Sequence, residues 1–198
     1  SATATLSAPG KNVSLAGIQV NSAIATADAA VRAYILDSRV EAGSLSLFAG
    51  GYVTATPTMT QSDTSLGLYN MGVTQLYSFA KGTYEAYAEL EEGNVLDISG
   101  TLSIETRYTS AADANVTTPE GGVNVNLVGI NTNVAGAVNR TTANAGIRGT
   151  GTVDAGTIDI DVNGTATATA DSTAPTASLS SVSIVTNVMY ALLKARQN

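Results

Sequence analysis

Three stretches of the chain open on a glycine and then alternate apolar and polar residues. They are 43–47 (Gly-Ser-Leu-Ser-Leu), 100–104 (Gly-Thr-Leu-Ser-Ile) and 156–162 (Gly-Thr-Ile-Asp-Ile-Asp-Val). A period of two marks a strand with one buried face. In the last stretch Ile158, Ile160 and Val162 point one way, and Thr157, Asp159 and Asp161 the other. The glycines that open them, Gly43, Gly100 and Gly156, are almost evenly spaced. A second landmark recurs out of phase with the first. It is Ala16-Gly17-Ile18, Met71-Gly72-Val73, Val128-Gly129-Ile130 and Val182-Ser183-Ile184, at nearly the same interval. Ala8-Pro9 and Ala174-Pro175 lie three such periods apart. A fixed period of this length decides the architecture before any single residue does.

The two landmarks interleave at half the interval, Gly17 to Gly43, Gly72 to Gly100 and Gly129 to Gly156. Each repeat of about 55 residues therefore reads as two coils of about 27. No stretch carries an amphipathic helix, and short strands at a constant interval predict a solenoid. The expected fold is all-β, a right-handed parallel β-helix, the hand following from that of parallel crossovers. It forms one segment over 1–198, with approximate repeats 17–71, 72–128, 129–182 and a partial 183–198. About seven coils at ~4.8 Å would make a rod on the order of 35 Å long. Ile18, Val73, Ile130 and Ile184 are expected above one another inside it, as are Leu45, Leu102 and Ile158. Val134 and Val188 open matching stretches, and Ile35 matches Ile147.

Residues 123–134 show how a coil would turn. Val123, Val125 and Leu127 share one side; after Val128-Gly129 the parity changes, and Ile130, Thr132 and Val134 are expected inward. Such a glycine suits a corner between two faces. Asn131 and Asn133 then point outward, or else form an inward asparagine ladder. Residues 61–67, 84–94 and 110–122 differ most between repeats and are expected as loops or insertions. Tyr34 and Tyr87 fall near each other when the repeats are superposed. The chain stops partway through a repeat, which suggests a piece of a longer, uncapped array.

Composition narrows the function. Net charge is −7, so no basic surface is offered to nucleic acid or to an anionic membrane. Charged residues are 13% and aromatics 5%, against roughly a quarter charged in ordinary domains. The absence of cysteine and histidine removes disulfides, thiolate sites and the commonest general base. No run of 18 apolar residues is present, and the opening residues, a Thr/Ala strand from Ser1, are expected to be part of the fold rather than a leader.

Candidate chemistry is sparse. Asp159 and Asp161 with Asn163-Gly164 lack the closing glutamate of an EF-hand and read as a solvated strand face. Gly149-Thr150-Gly151 has no following lysine or helix to hold a phosphate. The Asn-X-Ser/Thr triplets at Asn12, Asn115, Asn139 and Asn163 are expected by chance in so Thr-rich a chain. The acidic concentration Glu85, Glu89, Glu91, Glu92 and Asp97 contains the elements of a glycosidase carboxylate pair, but lies in one repeat with Lys81 as its nearest base. No catalytic, cofactor or metal residue is assigned. Tyr84, Tyr87, Glu89, Glu91 and Glu92 form the candidate interaction patch, flat amphipathic rings beside negative charge.

On its glycine-led strands, the Ala-Tyr-Ile of 33–35 and the Ala/Thr/Asp/Asn runs at 23–30, 111–118 and 165–172, the chain resembles the repeat region of large filamentous adhesins of Gram-negative bacteria, of leukotoxin and filamentous-haemagglutinin type. The resemblance implies export, a β-helix shaft at the cell surface, and attachment to a protein or glycan on host cells, matrix or other bacteria, without enzymatic activity. Open strand edges add an expectation of end-to-end self-association. The alternative from another class is a β-helix polysaccharide lyase or hydrolase.

Overall fold

The computed structural model describes residues 1–117, 124–172 and 178–197; for 7–14, 60–65, 117, 124 and 178–180 it describes the backbone alone. Every element is a strand: β1 (Ala2–Leu36), β2 (Val40–Ala42), β3 (Leu45–Leu90), β4 (Val95–Thr117), β5 (Asn124–Gly149), β6 (Thr152–Ser172) and β7 (Ser178–Gln197). All pairings are parallel, and all join into one curled, seven-stranded sheet. The all-β, parallel expectation is met.

The register is one whole repeat per step. Ala2 pairs with Ala55, Leu45 with Leu102, Ser65 with Asn124, Thr101 with Thr157 and Val134 with Val188. The expected division of each repeat into two successive coils is thus corrected: among the described residues no backbone ladder runs at the half interval. Residues half a repeat apart meet instead across the core. Ser78 Oγ donates to the Ala55 carbonyl at 2.6 Å, and Ser110 Oγ to Asn139 Oδ1 at 2.9 Å. Each repeat folds back on itself, and its two halves are facing layers rather than successive storeys. The reason is that Ala, Ser and Asn side chains are short enough for two layers to close on each other. The stack is accordingly four strands deep, β1, β3, β5 and β7, or about 19 Å at ~4.8 Å per strand, not seven coils.

One layer holds the first part of each repeat and the other the second. Leu45, Leu102 and Ile158 stand in one column, as the alternation predicted, with Leu102 buried and Leu45 partly buried in the core, while Ile158 on β6 is 48% exposed. Near the turns at 37–39, 91–94 and 150–151 the core is aliphatic: Leu47, Leu90, Leu96, Ile98, Leu102 and Ile104 are buried between Ala49, Ala86 and Ala88. Further along the strands Val53, Met59 and Val116 of one layer face Leu76, Ala23, Ala25, Ala27, Ala135 and Ala137 of the other. Between these regions Tyr84 and Tyr108 stack face to face across the layers at 5.4 Å and 14°. Asn139, wholly buried, ties the layers. Its Nδ2 donates to the carbonyls of Ser110 (3.0 Å) and Thr167 (2.8 Å), and its Oδ1 accepts from Ser110 and Thr141.

The landmark column is Ile18, Met71, Ile130 and Ile184; Val73 stands beside it over Val20. It faces outward, with Ile18 77% exposed and Ile184 50%. The parity does change between Leu127 and Ile130, where the ladder skips Leu68 and Leu127, but in the opposite sense to that expected. Asn126, Gly129, Asn133 and Ala135 are inside, and Val125, Leu127, Ile130 and Val134 are not. The asparagine ladder is the inward one: Asn133 Nδ2 donates to Asn187 Oδ1 at 3.1 Å.

Of the three expected loops, 84–90 is the end of β3, and the loop shrinks to the turn at 91–94. Residues 61–67 lie within β3 and pair with β1 in unbroken register. Residues 110–117 belong to β4; the remainder of 110–122, with Ala174-Pro175, falls outside the described residues.

Candidate functional site

Parallel pairing in register places like positions side by side. Tyr34 of β1 is the register partner of Tyr87 of β3, and the rings stack 5.9 Å apart at 5°. The next residue in that column is Gly146 of β5, which fills no space above Tyr87. Arg148, two residues further along β5, uses that space. Its guanidinium lies 3.5 Å from the Tyr87 ring centroid and also bonds the Tyr87 hydroxyl. This is a cation–π contact.

Beside the rings, Arg32 and Glu85 are cross-strand partners, with Arg32 Nε 3.1 Å from Glu85 Oε2. The Tyr34 hydroxyl donates to the same oxygen at 2.5 Å. Burial, and then the bond to Glu85 and its negative charge, raise the Tyr34 pKa above the usual phenol value. Burial likewise raises that of Tyr87, against the opposing pull of Arg148. At neutral pH both phenols are therefore un-ionised donors. The strip presents Tyr34, 40% exposed, flanked by charges of both signs. It can stack on a flat apolar face or bond hydroxyls and amides. Glu85 is tied by both Arg32 and Tyr34 through one carboxylate oxygen.

The sequence-derived patch is divided by the fold. Tyr84 lies inside, wholly buried against Tyr108, its pKa raised by burial. Tyr87 is on the outer side but only 4% exposed, under Arg148. Glu89 is exposed at the end of β3. Glu91 and Glu92 are exposed in the following turn, where the Glu91 amide donates to Asp37 Oδ1 at 3.0 Å. Tyr84 and Tyr87 are separated by an odd number of steps, which in a strand means opposite faces; reading them as a loop hid that. Arg32, Tyr34, Glu85 and Arg148 were not assigned to the patch. The signal for Tyr34 was its superposition on Tyr87, and for Arg148 the glycine shortly before it.

Asp159 and Asp161 point outward from β6, as the alternation predicted. They join a wider acidic face, in which Glu41, Asp97 and Asp154 are register partners and all exposed. Gly149 and Gly151 are structural. Gly149 has φ 95°, and a side chain there would strike the Leu90 backbone, whose carbonyl accepts from the amides of Thr150 (2.9 Å) and Gly151 (3.0 Å). Among the described residues no three His, Cys, Asp or Glu side chains are grouped to hold a metal ion, and no helix is long and apolar enough to cross a membrane.

Comparison of the chain with protein-family models, with curated proteins and with solved structures finds no match.

Proposed function

We propose that the chain is a shaft segment of a secreted or surface-anchored filamentous adhesin, its curled parallel sheet wound as a right-handed β-helix. The observation that carries this reading is register: from Ala2 to Gln197 the described strands pair in parallel, each with the strand one repeat away. A fold built from one repeated step lengthens by adding steps, which is what a shaft requires. The role is structural and non-enzymatic, and it places the chain outside the cell, at a bacterial surface. The partner is a protein or glycan on host cells, matrix or neighbouring bacteria, not nucleic acid, and the shaft does not insert in the bilayer.

The same geometry supports end-to-end association. Val185, Met189 and Leu193 of β7 belong to inward columns yet are 43%, 51% and 48% exposed, so a further strand laid over them would bury them. The glycan-cleaving alternative gains no support from Glu85, which is already paired.

The test is attachment. Cells carrying the full-length protein are compared with cells whose array, including this segment, is deleted in frame, with surface export verified by antibody. Adhesion shown by the parent and lost with the array supports the reading. Equal adhesion, a protein confined to the cytoplasm, or release of reducing ends from a polysaccharide by the purified chain overturns it.

A further inference from the structure

The outer side of the second layer, from the bend near Leu68 to residue 26 of β1, is uncharged and largely apolar across the four stacked strands, its polar members being Ser22, Thr26, Gln75, Thr132 and Thr186. Its outward positions carry Ile18, Val20 and Ile24 on β1 and their register partners on β3, β5 and β7. Ile18, Val20 and Ile24 are 77%, 66% and 57% exposed. Outward positions 18–26, 71–79, 130–138 and 184–192 contain no charged residue, in a chain of net charge −7. The first charged column lies just beyond, where Asp28 pairs with Lys81 at 3.2 Å. Isolated exposed apolar side chains need no explanation, but a contiguous sheet of them does.

We propose that this face is an interface between two copies of the chain, packed sheet on sheet. Two observations favour a second copy as occupant. The first is area. Four strands at ~4.8 Å by about eight residues at ~3.3 Å cover on the order of 500 Å². The apolar surface continues past the bend through Leu66 and Leu127, 54% and 49% exposed. The extension brings the face to about 700 Å², against the roughly 800 Å² per partner of a stable interface. The second is charge. Two acidic molecules repel each other, and the uncharged face is where they approach without opposing charges in contact. Its Ile, Val, Thr and aromatic side chains are those that fill the layer between sheets stacked ~10 Å apart. The resulting dimer is closed and two-fold, distinct from open-ended stacking along the strand-pairing direction, and does not depend on the adhesin reading.

The experiment is sedimentation equilibrium of the chain with parallel circular dichroism. The parent is expected to be a concentration-dependent dimer. Ile130→Lys, central and outward, should raise the dissociation constant about 100-fold, because it buries an unpaired charge. Ser103→Lys, outward on the other layer, should leave dimerisation unchanged. As a second measurement needing no disruptive change, the chain has no cysteine of its own. Thr132→Cys should therefore be joined by a short bis-maleimide into a dimer, and Ser103→Cys should not. A monomeric parent at tens of micromolar, a folded Ile130→Lys that associates as before, or equal cross-linking at both cysteines overturns the proposal; end-to-end oligomers untouched by Ile130→Lys, with no cross-linking at Thr132→Cys, do so as well.

Discussion

The two regions of this sheet are built inside out with respect to each other. Near the turns, large aliphatics fill the interior and carboxylates cover the exterior: Leu102 and Ile104 are wholly buried, while Glu41, Asp97 and Asp154 stand outside. Toward the bend, Ala23, Asn133 and Ala135 are inside and Ile18, Val20 and Ile24 outside. Both regions alternate with a period of two. The difference is what the opposite layer brings. Met59, Val53 and Val116 reach inward from one side, and the wall against them is mostly alanine, with Leu76 its one large buried side chain among the described residues. An alternating stretch thus declares its two faces, and the facing wall decides which one is the core.

The sharpest way to break this comparison is a matched pair of truncations. Leu102→Ala should cost about 3 kcal/mol and lower the denaturation midpoint accordingly, because the fixed surroundings of a buried column leave a cavity. Ile130→Ala, at an equally apolar position of the outer face, should cost under about 1 kcal/mol in the monomer. Equal losses would mean that the outer face is a core. Next in size is Asn139→Ala. It strips the bonds that tie the layers and leaves buried carbonyls unpaired, so about 2 kcal/mol should be lost in denaturant unfolding.

A smaller effect is expected at Tyr84, where the regions meet. Its buried hydroxyl has no hydrogen-bond partner. Tyr84→Phe should therefore be neutral or stabilising by up to about 1 kcal/mol at pH 7. The raised pKa has a definite sign. Below about pH 10 the phenol is neutral in both folded and unfolded chains, and stability is intact. As pH rises past that value toward the higher folded one, the unfolded chain ionises first and stability is lost. Tyr84→Phe should flatten that alkaline loss; an unchanged alkaline limb would sink the assignment. Smallest is the acidic column. Asp97→Asn relieves like charges at register positions and should stabilise by about 0.5 kcal/mol at low salt, with the gain gone in strong salt.

Much of this molecule is legible in its residues. The glycine-led strands and their near-constant interval predict parallel pairing, the column Leu45, Leu102, Ile158 and the partnership of Tyr34 with Tyr87. Less of the surface is. Tyr84 and Tyr87 were grouped because they are close in sequence, and the strand separates them to opposite sides. Arg148 reaches Tyr87 from a full repeat away, through a space that only the stacked strands define.

Pattern by itself determined that the chain is built of strands, where its parity shifts, and which residues recur one step apart, because these follow from local geometry and repetition along one dimension; that 61–67, 84–90 and 110–117 are strand rather than loop came only with the stacked pairing. Which side became the interior, and whether half a repeat meant a second storey or a facing layer, were decided only by tertiary structure. Both depend on how closely two walls can approach. That distance is set by side chains such as Met59 and Ala135, which are far apart in the sequence and meet only when the layers close.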